Sequence, residues 1–144
     1  MEDKVSFNDI MNLNVGEPRA PKFVPEGDYV ALCTGYESTT VGSGRGVVTV
    51  IFKPQTAVGG QDLTGIDLAK PKFVAKLWSS KTGNDDETYN RINNFLRDAM
   101  PDSSGPIKDA FEAMVGNQYI VKMKHWQQQG RKFPELQVDR IRPA

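Results

Sequence analysis

Two tryptophans stand in rows with lysines. Lys76 and Trp78 are two residues apart, and Lys122, Lys124 and Trp126 repeat that spacing. In an extended strand, residues two apart share a face, so each indole lies beside ammonium groups. A row that carries lysines does not belong in a core, and its rings go outward with them. A cation beside an exposed ring suits a polyanion with unpaired bases: the ammonium takes a phosphate while the ring stacks on a base. Such stacking is worth roughly 1–3 kcal/mol per base and tolerates any sequence. Single strands offer base faces and duplexes do not, so the pattern favours single-stranded nucleic acid. Each piece also has an ordinary reading. Trp78 can be a rim or core aromatic, Trp126 can pack beside the polar turn after it, Tyr36 and Phe133 can be structural, and the lysines can simply solvate a sheet face.

Other chemistries have less to stand on. A nucleophile needs a nearby base held by a third group. Cys33 and His125 are the only thiol and imidazole, and Cys33 sits among apolar strand residues, where a small buried hydrophobe is expected. One His and one Cys cannot build a usual zinc site, and a lone cysteine forms no internal disulfide. Asp85, Asp86 and Glu87 are consecutive, so on a helix they point in different directions; complementing a helix N-terminus explains them without a metal. The stretch Gly42–Gly46 (Gly-Ser-Gly-Arg-Gly) resembles a phosphate cradle but lacks the Lys-Ser/Thr ending of a P-loop and leads into a strand. A hairpin turn is the better reading, with Arg45 placed to reach a phosphate. No catalytic residues, cofactor or metal are expected.

The 144 residues carry 18 basic and 18 acidic side chains, and 38% are hydrophobic. That suits one domain with a buried core. No apolar run approaches the roughly 20 residues of a membrane span, and the opening Met1-Glu2-Asp3-Lys4 is not that of a signal peptide. The neutral total conceals a gradient: residues 1–83 balance, residues 84–115 sum to −4, and residues 116–144 sum to +4 through Lys122, Lys124, Arg131, Lys132, Arg140 and Arg142 against Glu135 and Asp139. A neutral chain can thus present a positive face, and the local field steers an anionic ligand.

The elements that must position these groups can be read from periodicity. Residues 1–27, broken by Pro18, Pro21 and Pro25, read as a flexible arm preceding a domain over 28–144. Asp28–Thr40 reads as a strand with Tyr29, Ala31 and Cys33 on one face, and the β-branched run Val47–Phe52 as its hairpin partner. Residues 54–71 read as a long loop, Lys72–Ser80 as a third strand. Helical spacing of Tyr89, Ile92, Phe95, Leu96 and Ala99 then runs to Pro101, and a short helix occupies Pro106 to Gly116. Gln118–Trp126 and Phe133–Ile141 complete five strands around a polar turn, Gln127–Lys132. Mainly β, with one or two helices between strands three and four, is the order of the OB-fold, a five-stranded Greek-key barrel. The helix is expected to plug one barrel end without a partner helix; an α+β sandwich is the structural alternative. In an OB-fold, ligands cross strands two and three beneath the first-second and fourth-fifth loops, which here carry Arg45 and Arg131-Lys132.

Several stretches resemble the small OB-fold single-stranded-DNA-binding proteins of bacteriophages. They are Pro25-Glu26-Gly27-Asp28-Tyr29; Lys76-Leu77-Trp78 before a Thr-Gly-Asn turn; Arg91-Ile92-Asn93-Asn94-Phe95-Leu96; and Val115-Gly116-Asn117 leading into Tyr119–Lys124 and then Phe133-Pro134-Glu135-Leu136. The similarity spans about residues 25–143. It implies a non-enzymatic protein that coats and protects single-stranded DNA in phage replication or recombination, in the cytoplasm of the infected bacterium. Further candidate partners are other replication proteins and a second copy of the chain. Many such proteins end in an acidic recruiting tail, whereas this sequence ends Asp139-Arg140-Ile141-Arg142-Pro143-Ala144, which shifts partner docking to the arm. The expected interface is Arg45, Lys76, Trp78, Lys122, Lys124, Trp126, Arg131 and Lys132. A structural or protein-interaction module of a phage replisome or virion is the alternative, and a nucleotide- or RNA-directed enzyme a third, weakened by the missing acid/base pair.

Overall fold

The computed structural model of the chain describes Met11 and residues 23–42, 44–126 and 135–144. Five strands, β1 (Gly27–Thr40), β2 (Gly46–Val58), β3 (Phe73–Trp78), β4 (Gln118–Trp126) and β5 (Glu135–Pro143), close into a barrel-like ring in the order β1-β2-β3-β5-β4. Helices α1 (Asp85–Ala99) and α2 (Ile107–Met114) stand between β3 and β4 in sequence. The ring replaces the two layers of a sandwich. Its seams are antiparallel except β3–β5, which is parallel and pairs through Val74 and Gln137.

Alternation decides what lies inside. Tyr29, Ala31 and Cys33 of β1, Val50 and Phe52 of β2, Phe73, Ala75 and Leu77 of β3, and Tyr119, Val121 and Met123 of β4 form one buried cluster. Tyr29 meets Phe73 edge-on at 5.1 Å, and Phe52 meets Tyr119 at 6.1 Å, geometries that the ring quadrupoles favour. Burial raises the Cys33 thiol and the Tyr29 and Tyr119 phenols above their ordinary values, as expected for groups held neutral in an apolar interior.

Simple alternation fails at three places, each a register shift. On β1 the pairing steps from Cys33 to Gly35, so that Thr34 is passed over and the inward positions change from odd to even; Tyr36 therefore lies opposite buried Val50 and stacks on Phe111 of α2 at 5.4 Å. On β2 the shift passes over Gln55, next to Pro54, which has no backbone donor and is tolerated at such a break. On β5 the shift leaves Asp139 and Arg140 both exposed, and lets Val138 and Ile141 both contribute to the core.

Asn84 caps α1, accepting a bond from the Glu87 amide at 3.1 Å, and Asp85, Asp86 and Glu87 fill the first turn. The helix buries Leu96 and Ala99, while α2 buries Ala110, Phe111 and Met114. The two helices meet through Phe95 and Phe111 at 6.5 Å. This corrects the expectation of a helix needing no partner: its apolar face is shared between the ring and α2.

The loop after β2 is shorter than the sequence suggests, because β2 continues through Val58. The segment between β2 and β3 is tied down. Leu63 and Leu68 pack on the core, Asp62 and Asp67 accept amide bonds from Thr64 and Ala69, and Gln61 Nε2 donates to the Asp28 carbonyl at 2.7 Å. Gly27 makes that approach possible. Its φ is +135°, and a Cβ there would stand 2.4 Å from Gln61 Nε2. Replacement Gly27→Ala should cost about 1–3 kcal/mol by combining backbone strain with loss of the Gln61 bond. Gly42→Ala, with nothing within 4 Å, should be close to neutral; chemical denaturation of both variants checks the contrast.

Candidate functional site

The outer surface of β2 and β3 is built by the residues opposite the core set. Cross-strand pairs there are Val47 with Trp78, Thr49 with Lys76 and Ile51 with Val74. Trp78 and Lys76 are half-buried, while Phe73, Ala75 and Leu77 point inward. Val47 lies outside the core cluster yet is only 7% exposed, so its cover is on the outer face, where Trp78 is its partner.

Arg45 completes this corner. Its guanidinium carbon stands 5.0 Å from the centre of the Trp78 ring, and its Nη2 donates to the Ser79 carbonyl at 2.8 Å. A guanidinium over an indole face is a cation–π contact worth about 0.5–2 kcal/mol. The turn that delivers Arg45 uses its own amides: Val41 N–H bonds the Arg45 carbonyl and Gly44 N–H the Val41 carbonyl. Those amides are therefore unavailable to cradle a phosphate. The side chain of Arg45 is a donor that this turn directs over Trp78.

A polar strap holds the end of β3. Gly46 N–H donates to Ser79 Oγ at 3.0 Å, and Ser79 N–H to the Gly46 carbonyl at 2.9 Å. Buried Ser80 donates its hydroxyl to Glu87 Oε2, accepts from Thr82 N–H, and donates its amide to Thr88 Oγ1. Arg91 of α1 donates to the Trp78 carbonyl and pairs with Glu87 at 3.4 Å. The first turns of α1 thereby fix the backbone beneath Trp78. Periodicity gives no sign of this strap; the short run Ser79-Ser80 followed by Thr82 is its only trace.

On β4, Lys122, Lys124 and Trp126 all face outward, with Trp126 53% exposed. The two indole rows are not neighbours, however. β5 lies between β3 and β4, and it carries acidic groups. Lys76 Nζ pairs with Glu135 at 2.7 Å, and Lys124 Nζ lies 3.7 Å from Asp139. Register places Trp126 opposite Glu135 and Val74 opposite Gln137, so Trp78 lies about 20 Å further along the strand direction at 3.3 Å per residue. A single platform joining both rings is thus corrected to two separate ends of the ring. Arg131, Lys132 and Phe133, with the turn that carries them, lie outside the described residues.

His125 is structural. Its Nε2 is 2.9 Å from the Val24 carbonyl, its amide donates to Glu26, and its ring meets Phe23 edge-on. Tyr29 Oη donates to the Pro25 carbonyl at 2.6 Å, so residues 23–26 are held against the ring although the sequence groups them with the arm. Cys33 bonds backbone at Gly116 and Asn117, before β4 begins, whereas His125 lies near its far end; no Cys/His pair forms. Among the described residues no group of three His, Cys, Asp or Glu side chains could hold a metal, and no helix is long and apolar enough to cross a membrane. In comparisons with known proteins, no family model and no curated protein matches the chain.

Ser80→Ala should lower stability by about 0.5–1.5 kcal/mol, because it removes the buried hydroxyl that links Thr82 and Glu87. Ser104→Ala, at an exposed position, should change it by less than about 0.5 kcal/mol; thermal or urea unfolding measures both.

Proposed function

We propose that the protein binds single-stranded DNA without sequence preference and without catalysis, as an OB-fold of the kind used by small phage single-strand binders. The observation that carries this reading is the outward corner formed by Trp78 and Lys76 on β3 and by Arg45 in the turn before β2, on the two strands across which such folds take their ligands. The ring order and the two helices between the third and fourth strands are consistent with that architecture.

In this reading Trp78 stacks on a base. Arg45 already covers one face of the indole, so a base either takes the free face or displaces the guanidinium onto a neighbouring phosphate. Lys76 sits two residues away to take the next phosphate, exchanging Glu135 for it. Lys122, Lys124 and Trp126 form a second contact region on β4, reached by a longer strand. Binding is then driven by release of condensed counterions together with stacking.

A protein-interaction role has one observation in its favour. Phe23, Val58 and Trp126 are exposed apolar groups around the start of β1, where Val58 pairs with Asp28 and Gly27 with Met123. Such groups at one end suit a protein contact better than a phosphate.

Trp78→Ala should weaken binding to oligo(dT) by about 1–3 kcal/mol. Lys76→Ala should reduce the slope of log K against log salt by about 0.7, the share of one phosphate. Fluorescence anisotropy with labelled oligo(dT), oligo(rU) and duplex at two salt concentrations measures these. Unchanged affinity in both variants would exclude the corner as the binding site.

A further inference from the structure

The β4–β5 surface carries a cationic cleft away from the Trp78 corner. Lys122 lies directly opposite Arg140, and Ile120 opposite Arg142, so three cations project from two adjacent strands. Directly opposed like charges on a sheet are unfavourable unless something anionic lies between them. Two carboxylates do face the cleft, Asp28 of β1, which lies opposite Lys122 in the strand register, and Asp98 of α1. Yet among the described residues neither Lys122, Arg140 nor Arg142 forms an ion pair. The cleft has a volume of about 380 Å³ and is lined by these five side chains with Ile120 and Ile141. Lys76 and Lys124, by contrast, are each matched by a carboxylate.

The cleft is not isolated. A groove of about 210 Å³ between α1 and the β3–β5 seam is lined by Lys76, Arg91, Asn94 and Asp98, and it shares Asp98, Arg140 and Ile141 with the cleft. A path therefore runs from Lys76 beneath α1, over the β5 bulge, to Lys122 and Arg142. The bulge creates it: by leaving Asp139 and Arg140 both outside, it aims one toward Lys124 and frees the other for the groove.

We propose that the Lys122–Arg140–Arg142 cleft is a phosphodiester subsite that takes the backbone of a strand leaving the Trp78 corner. This rests on the single-strand-binding reading and extends it to residues, Arg140 and Arg142, outside the expected interface. Its ligand chemistry is phosphate without base recognition, since no aromatic side chain lines the cleft.

The test uses the full chain and a graded length series of labelled oligo(dT). Arg140→Ala with Arg142→Ala should leave short oligonucleotides bound as in the parent. On long ones the salt slope should fall by about 0.7 for each phosphate that is no longer neutralised. Asp98→Asn, which removes a carboxylate from the same cleft, should strengthen binding of long oligonucleotides only and keeps the test available if the double variant folds poorly. Arg140→Lys with Arg142→Lys should retain the parent slope. Short oligonucleotides bound through Trp78 with no change in the long-strand slope would overturn the subsite and leave the binding function standing. An equal loss at every length would also overturn it, showing a general field rather than a path. Failure of the parent to bind oligo(dT) at all would remove both.

Discussion

Everything at the surface of this ring depends on the pleat of β3. Burying Phe73, Ala75 and Leu77 obliges Val74, Lys76 and Trp78 to face outward. A one-residue slip would bring the Lys76 ammonium into the core and expose Phe73 and Leu77. Exposing those two side chains would forfeit about 1.5–3 kcal/mol each, and an unpaired buried ammonium adds several more. The register is therefore strongly determined. The same reasoning applies to β4, where Tyr119, Val121 and Met123 are buried and Lys122 and Lys124 are outside. The polar strap at Ser79 and Ser80 then converts the direction of Trp78 into a fixed position, by tying the strand end to the hairpin turn and to α1.

Electrostatics modifies what the pleat provides. The sequence carries its positive excess after residue 116, but in space that excess is interrupted by Glu135 and Asp139 on β5. Partly exposed pairs of this kind are worth about 0–1 kcal/mol, so a phosphate can compete for Lys76 or Lys124 at little cost. Among the described residues of β4 and β5, the cations without an ion-pair partner are Lys122, Arg140 and Arg142, on the other half of β5 and the strand beside it. On the β4–β5 side of the ring, the positive charge left without ion-pair partners thus lies along a groove rather than over a whole face.

Much of the fold is legible in the sequence because alternation and helical spacing are strong signals where burial is one-sided. β4 and both helices fall close to the spans that their apolar residues and caps predict. The features that escape are produced by bulges and by chain pairing. The step past Thr34 changes which residues of β1 face inward, and the step on β5 turns Asp139 and Arg140 outward together; neither leaves a periodic trace. Pro54 reads as a loop residue, but the bulge beside it lets β2 continue. The outward direction of Trp78 and Trp126 is readable from their lysine neighbours, whereas their distance from each other is not, since strand order is a property of the closed ring. Arg45 is readable as a turn cation; its seat over Trp78 depends on the Ser79 carbonyl, which no residue-type pattern encodes.

The sharpest measurement is the emission of Trp78 alone, in a Trp126→Phe chain titrated with oligo(dT). A base stacked on the indole predicts quenching that saturates with binding and reverses as salt is raised. Saturable binding of the oligonucleotide with Trp78 emission unaltered would contradict this mechanism, because the strand would then be held somewhere other than the outer corner of β2 and β3.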